Sequence, residues 1–271
     1  MAAIKCISNW QEPIADYTTN SDEVIEMQDY CRKFFTADFK FTPQFFIATA
    51  TVTVYASNTI EDSGCDIRET TRLIDMYSQD PLAAMQYDNL SPEHAKQRRE
   101  VLQHFKALQL VHTTAVQKQP LSVDLIKSWH AALMESLVDP CGEYRTEGVF
   151  AGQRIFIDHE LIPSSMDALI EQCNERLVAN ELSPWALAAW LSHAFVSIHP
   201  FADGNGRLCR LLVNYILWYY GFAFAVPIST SRKDYMSALR FADRDYSTGG
   251  RRTGKLALLI LKSAHQIAQN H

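Results

Sequence analysis

His199-Pro200-Phe201-Ala202-Asp203-Gly204-Asn205-Gly206-Arg207-Leu208-Cys209-Arg210 is the stretch on which the reading of this chain turns. Ala186 to Val196 before it and Leu211 to Tyr220 after it are apolar runs with helical spacing. That pattern predicts a loop held between two buried helices. Working outward, the rest of the chain is also predominantly helical in pattern, with one short hairpin, so the expected fold is all-α.

The residue types in the loop share one chemistry. Gly204 and Gly206 flank Asn205 and let successive backbone N–H groups curl towards a single anion. The following helix offers its positive end to the same anion. Arg207 and Arg210 are three apart, on one helical face, and guanidinium groups so placed suit further phosphates. Asp203 is a lone carboxylate beside them. Magnesium takes few protein ligands and fills its shell with phosphate oxygens, so one such carboxylate is a fitting anchor. His199 can reach the same space as a general base. Together the parts read as a nucleotide polyphosphate, magnesium and a base.

Composition narrows the classes. A chain of 271 residues, 47% apolar, can bury a sizeable core. Its net charge of −6 argues against a nucleic-acid polymer or an anionic membrane as the main partner. The six cysteines form no C-x-x-C and no zinc spacing, and read as reduced thiols. Ile4 to Ile7 is too short for a signal peptide, and no run approaches the ~20 apolar residues of a membrane span. A cytoplasmic location is the expectation.

The twelve residues fit, without departure, the signature of Fic domains, His-Pro-Phe-x-Asp/Glu-Gly-Asn-Gly-Arg-x-x-Arg, and the chain resembles that family from about residue 50 to 245. Most Fic enzymes move AMP from ATP to a protein hydroxyl. The resemblance implies His199, Asn205 and Arg207 as catalytic residues, with Asp203 for Mg2+. Gly204, Asn205, Gly206, Arg207 and Arg210 would bind ATP. Tyr235 and Asp243 match, by position, residues near adenine. Upstream, Ser57-Asn58-Thr59-Ile60-Glu61 resembles the family's inhibitory motif, Ser/Thr-x-x-x-Glu-Gly/Asn. Asp62 stands where the family has Gly or Asn, which implies a different helix end, towards Gly64. Gly142-Glu143-Tyr144-Arg145 followed by Val149 to Ile157 resembles the flap that aligns a target strand, with Thr146, Val149 and Phe150 as target contacts.

On this reading residues 1–45 form an N-terminal arm and helix, 46–80 the inhibitory helix region, and 81–271 the Fic core with C-terminal helices. Ser21 to Phe35, Asp66 to Tyr77, Pro92 to Val116, Ser122 to Leu137, Pro163 to Leu177, Ser183 to Val196, Ser231 to Phe241 and Lys255 to Ala268 are predicted helices, and Asp80-Pro81 a loop. Pro43 to Tyr55 is ambiguous by pattern and becomes helix only through the inhibitory motif that follows. Lys96, Arg98 and Arg99 are read as a solvated face, and Gly249-Gly250-Arg251-Arg252 as a basic turn. The expected activity is AMP transfer from MgATP to a Ser, Thr or Tyr hydroxyl of a protein, held back by Glu61. Its alternatives are AMP removal with Glu61 positioning water, transfer of another group, and a blocked nucleotide-binding module. A homodimer is left open.

Overall fold

The computed structural model describes residues 21–36, 42–151, 154–180, 182–243 and 253–270. At its centre lies α9 (Asn205–Tyr219), in which every residue from Arg207 to Trp218 is buried. A helix buried all round must be surrounded by other helices. Its neighbours are α8 (Pro184–Ile198) and α5 (Pro92–Val116). α6 (Val123–Met134) lies against α5 and α9, and α7 (Ile162–Ala179) against α8. α2 (Pro43–Ile60) packs on α5, α9 and α3 (Ile67–Gln79). α1 (Ser21–Thr36) and α10 (Arg232–Asp243) pack on α11 (Gly254–Gln269), which backs α8. One apolar cluster runs from Val24 to Ala264. Two short strands, β1 (Phe150–Ala151) and β2 (Arg154–Ile155), pair antiparallel with Phe150 opposite Ile155.

The helix starts follow from local chemistry. Ser91, Ser122 and Ser183 each accept a backbone N–H from the first turn, and Pro92 and Pro184 occupy first-turn positions where no donor is needed. Asp66 caps α3 in the same way.

Three expectations are corrected. Asp80-Pro81 is not a plain loop. Asp80 accepts the N–H groups of Leu82 and Ala83 and opens a one-turn helix, α4 (Pro81–Ala84). α6 stops at Met134, short of Leu137, because Ser136 adopts a left-handed conformation, φ +58°, and Leu137 and Val138 both bond back to Met134. The α2 terminus does not slide towards Gly64. The helix ends at Ile60, and Asp62 itself takes the left-handed turn at φ +53°. Its carboxylate pairs with Arg232 at the start of α10. Residues 1–20, Gly152 at the hairpin centre and the turn Gly249 to Arg252 lie outside the described residues. Among the described residues no helix is long and apolar enough to cross a membrane.

Candidate active site

The signature loop leaves α8 through a left-handed residue, His199, at φ +55°. Its N–H still bonds to Phe195, so the helix is closed while the imidazole turns off its end. Nδ1 of His199 lies 3.3 Å from the Val196 carbonyl. A carbonyl only accepts, so Nδ1 carries the hydrogen and Nε2 is the basic nitrogen of the neutral ring. The Phe156 ring, just beyond β2, stacks on this imidazole at 3.9 Å.

The loop is shaped from beneath. Asn205 accepts the Phe201 N–H at 3.0 Å and donates to the Phe201 carbonyl at 2.8 Å. Its side chain therefore staples the loop. His130 accepts the Gly142 N–H on Nδ1 at 2.8 Å and donates from Nε2 to the Asp203 carbonyl at 3.0 Å. It also stacks on Phe201 at 3.7 Å. Burial pushes this imidazole down to about 4, so it is neutral at neutral pH. Gly204 is left-handed, φ +77°, and a Cβ there would lie 2.8 Å from Met134 Sδ. Conformation and close approach both demand glycine.

Arg207 and Arg210 are both buried, Arg210 to 3% exposure. Arg210 donates from Nε to Ser57 Oγ at 2.8 Å, and from Nη2 to the Ser57 carbonyl at 2.9 Å and to Glu61 Oε1 at 2.8 Å. Arg207 Nη2 lies 3.4 Å from Asp203 Oδ2. Three buried guanidinium nitrogens, Arg207 Nε and Nη1 and Arg210 Nη1, have no protein acceptor among the described residues. Unmet buried donors on charged groups are costly, and an anion is the natural partner. His104 sits below them with Nδ1 on Asn58 Oδ1 at 2.8 Å. Burial and the two arginines hold it well below the usual histidine range.

Gly206 carries the sharpest geometric fact of the site. A Cβ built on it would fall 2.1 Å from Glu61 Oε1 and 3.4 Å from Arg210 Nη1. The carboxylate therefore rests directly on the glycine nest. α9 begins here with no side-chain cap, so its first N–H groups have no cap acceptor. Beside the nest is a cavity of about 230 Å³, walled by Glu61, Asp203, Gly204, Gly206 and Arg207 together with Lys96 from α5. Lys96 is solvated, as its pattern predicts, and also borders this cavity. Arg98 instead pairs with Glu69, and Arg99 lies over the Tyr87 ring.

Arg145 joins flap to loop. Nε donates to the His199 carbonyl at 2.8 Å, Nη1 to Glu147 at 2.6 Å and Nη2 to Ile157 at 2.6 Å. Its own N–H bonds to Pro200. Thr146 is exposed and Val149 half-buried, while Phe150 and Ile155, opposite one another, are 78% and 85% exposed. The two positional matches, Tyr235 and Asp243, both have protein partners. Tyr235 is buried, with its hydroxyl 3.3 Å from Cys209 Sγ and its ring beneath Arg210. Asp243 accepts a hydrogen bond from His193 Nε2 at 3.0 Å. Among the described residues no cluster of three or more His, Cys, Asp or Glu converges on one point.

Sequence reasoning missed Phe156, the bonds of Arg145, the pin at His130 and the place of Lys96. Gly142-x-Tyr144-Arg145 was the signal for the second. The others depend on contacts across many residues and left no local pattern.

The class is set by comparison with known proteins. The Fic/DOC family profile matches residues 120–217. A Fido domain-containing protein of Dictyostelium discoideum is 51% identical over 138 residues, covering 51% of this chain and 96% of that protein. The chain belongs to the Fic/Fido family. It is also 29% identical over 195 residues to the protein adenylyltransferase Fic of Nematostella vectensis, covering 70% of this chain and 42% of that one. The chain thus spans less than half the length of that relative. In fold it is similar to Fic-1 of Caenorhabditis elegans, with a TM-score of 0.73 and 20% identity over 91% of this chain and 70% of that one.

Proposed function

We propose that this protein transfers AMP from MgATP to a hydroxyl group of another protein and that Glu61 restrains the transfer. The observation that carries this reading is the contact of Glu61 with Arg210 over the Gly206 nest, beside buried guanidinium donors without an acceptor. Adenylyltransferase relatives support the reaction class.

In the reaction His199 Nε2 takes the proton of the incoming hydroxyl. The hydroxyl oxygen bonds to the α-phosphorus as the bond from that phosphorus to the bridging oxygen breaks. Arg207 and Arg210 hold the departing pyrophosphate and stabilise its charge. The N–H groups at the start of α9 hold the phosphate oxygens. Asp203 suits magnesium, because its carboxylate is 67% exposed beside the cavity and offers one hard oxygen where phosphates supply the rest. Magnesium bound there neutralises phosphate charge. The flap, tied to the loop by Arg145, lays the acceptor segment beside His199.

Glu61 blocks this by occupying the guanidinium fork that the γ-phosphate needs. ATP then binds with its α-phosphate out of line, and a displacement on the order of 1 Å costs about a hundredfold. Glu61→Gly should raise AMP incorporation by about that factor. Mass spectrometry of both forms after incubation with MgATP checks it, with Glu61→Gly/His199→Ala as the inactive control. No gain of AMP by a Glu61→Gly protein that still binds ATP would overturn the inhibitory role. Loss of AMP-removing activity in the same variant would favour the reverse reaction.

A further inference from the structure

The cavity beside the nest is acidic. Glu61, Asp62, Glu93, Glu100 and Asp203 line it, against Arg207 and Lys96. A triphosphate would enter against that wall. Glu93, Lys96, Gln97 and Glu100 come from one face of α5, at spacings of three and four. Glu100 is already engaged: its Oε2 accepts the Gly64 N–H at 2.8 Å and so holds the turn after α2. Its Oε1 is 4.0 Å from Lys96 Nζ, beyond hydrogen-bond reach. Lys96 is 60% exposed and lines the cavity.

The cavity also has a direction. Glu61 lines it, whereas His199 is not among its walls. If Glu61 occupies the place of the γ-phosphate, this space takes the distal end of the nucleotide and not the α-phosphate. We infer that Lys96 is an additional nucleotide ligand that grips the β- and γ-phosphates, the pyrophosphate that departs. The inference rests on the nucleotide reading above and adds to it a cation from α5, outside the signature. A flexible ammonium suits the role, because a point charge follows a leaving group without demanding a fixed geometry.

Calorimetric titration in the Glu61→Gly background tests this, with a non-hydrolysable ATP analogue and with AMP, both with magnesium. Lys96→Met should weaken the ATP analogue about tenfold, the scale of one charged hydrogen bond. It should leave AMP affinity unchanged, and Lys96→Arg should restore the analogue's affinity. Equal weakening of both ligands, or of neither, overturns the inference. So does a loss that appears only when Glu61 is present, since Lys96 would then be a partner of that carboxylate. If the Glu61→Gly protein with Lys96 intact binds neither ligand, the nucleotide reading itself fails and takes the inference with it. Lys96 is a surface side chain, so unchanged thermal midpoints should accompany every arm.

Discussion

Two imidazoles serve the signature loop in opposite ways. His199 turns off the end of α8 with Nδ1 against the Val196 carbonyl, while His130 spends both nitrogens on backbone, one accepting from Gly142 and one donating to Asp203. Burial holds His130 neutral, down to about 4 from an ordinary 6.5, and protonation would also put a hydrogen on the nitrogen that accepts from Gly142. The folded state therefore binds fewer protons than the unfolded chain between those values. Stability from this residue is complete above pH 6.5 and is lost as pH falls towards 4, to a limit of about 3 kcal/mol. His104, held neutral by burial and by the two arginines, adds to the slope. Thermal melts across that window should show it, and His130→Gln should flatten it. An equal slope in that variant would show that the acid sensitivity arises elsewhere.

At the level of elements, the flap depends on one side chain. Arg145 spans three carbonyls, those of His199, Glu147 and Ile157, which no other residue type can bridge from one point. Arg145→Ala should free residues 146–157 to proteolysis and lower AMP transfer to protein, while ATP binding persists. Arg145→Lys should not rescue it, since a single ammonium cannot reach three acceptors. Unchanged cleavage of the flap would remove the clamp from the account. The helices themselves were largely legible, because Ser91-Pro92, Ser122 and Ser183-Pro184 announce their starts locally. The signature arginines were legible because they share a short stretch with the glycines. What was hidden depends on distance along the chain: His130 meets Asp203 across 73 residues, and Arg210 meets Ser57 across 153. The αL turn at Asp62 was misjudged because its ion pair with Arg232, on another helix, helps hold it there.

Across the whole molecule, α2 is an interior strut and not a hinged arm. Thr49, Ala50, Thr51, Thr53, Val54, Ser57, Asn58 and Ile60 are all buried. Phe45 packs edge-on against Phe224, and Thr49 accepts the Ala225 N–H. Asn58 bonds to His104 and to the Glu100 carbonyl, and Asp62 pins the far end to α10. Of the groups that touch Arg210, Glu61 at the helix end is the part-exposed one, at 33%. Displacing the whole helix would uncover its apolar face, whereas turning one side chain uncovers almost nothing. Hydrogen exchange of the α2 amides should therefore stay slow when an ATP analogue binds, even in wild type. Rapid exchange along residues 49–60 would show that the helix itself withdraws. The proposed restraint by Glu61 would then release through a rotamer change of one side chain and not on the slower clock of helix displacement. Its strength would be a matter of competition between a tethered carboxylate and a free phosphate, set by nucleotide concentration.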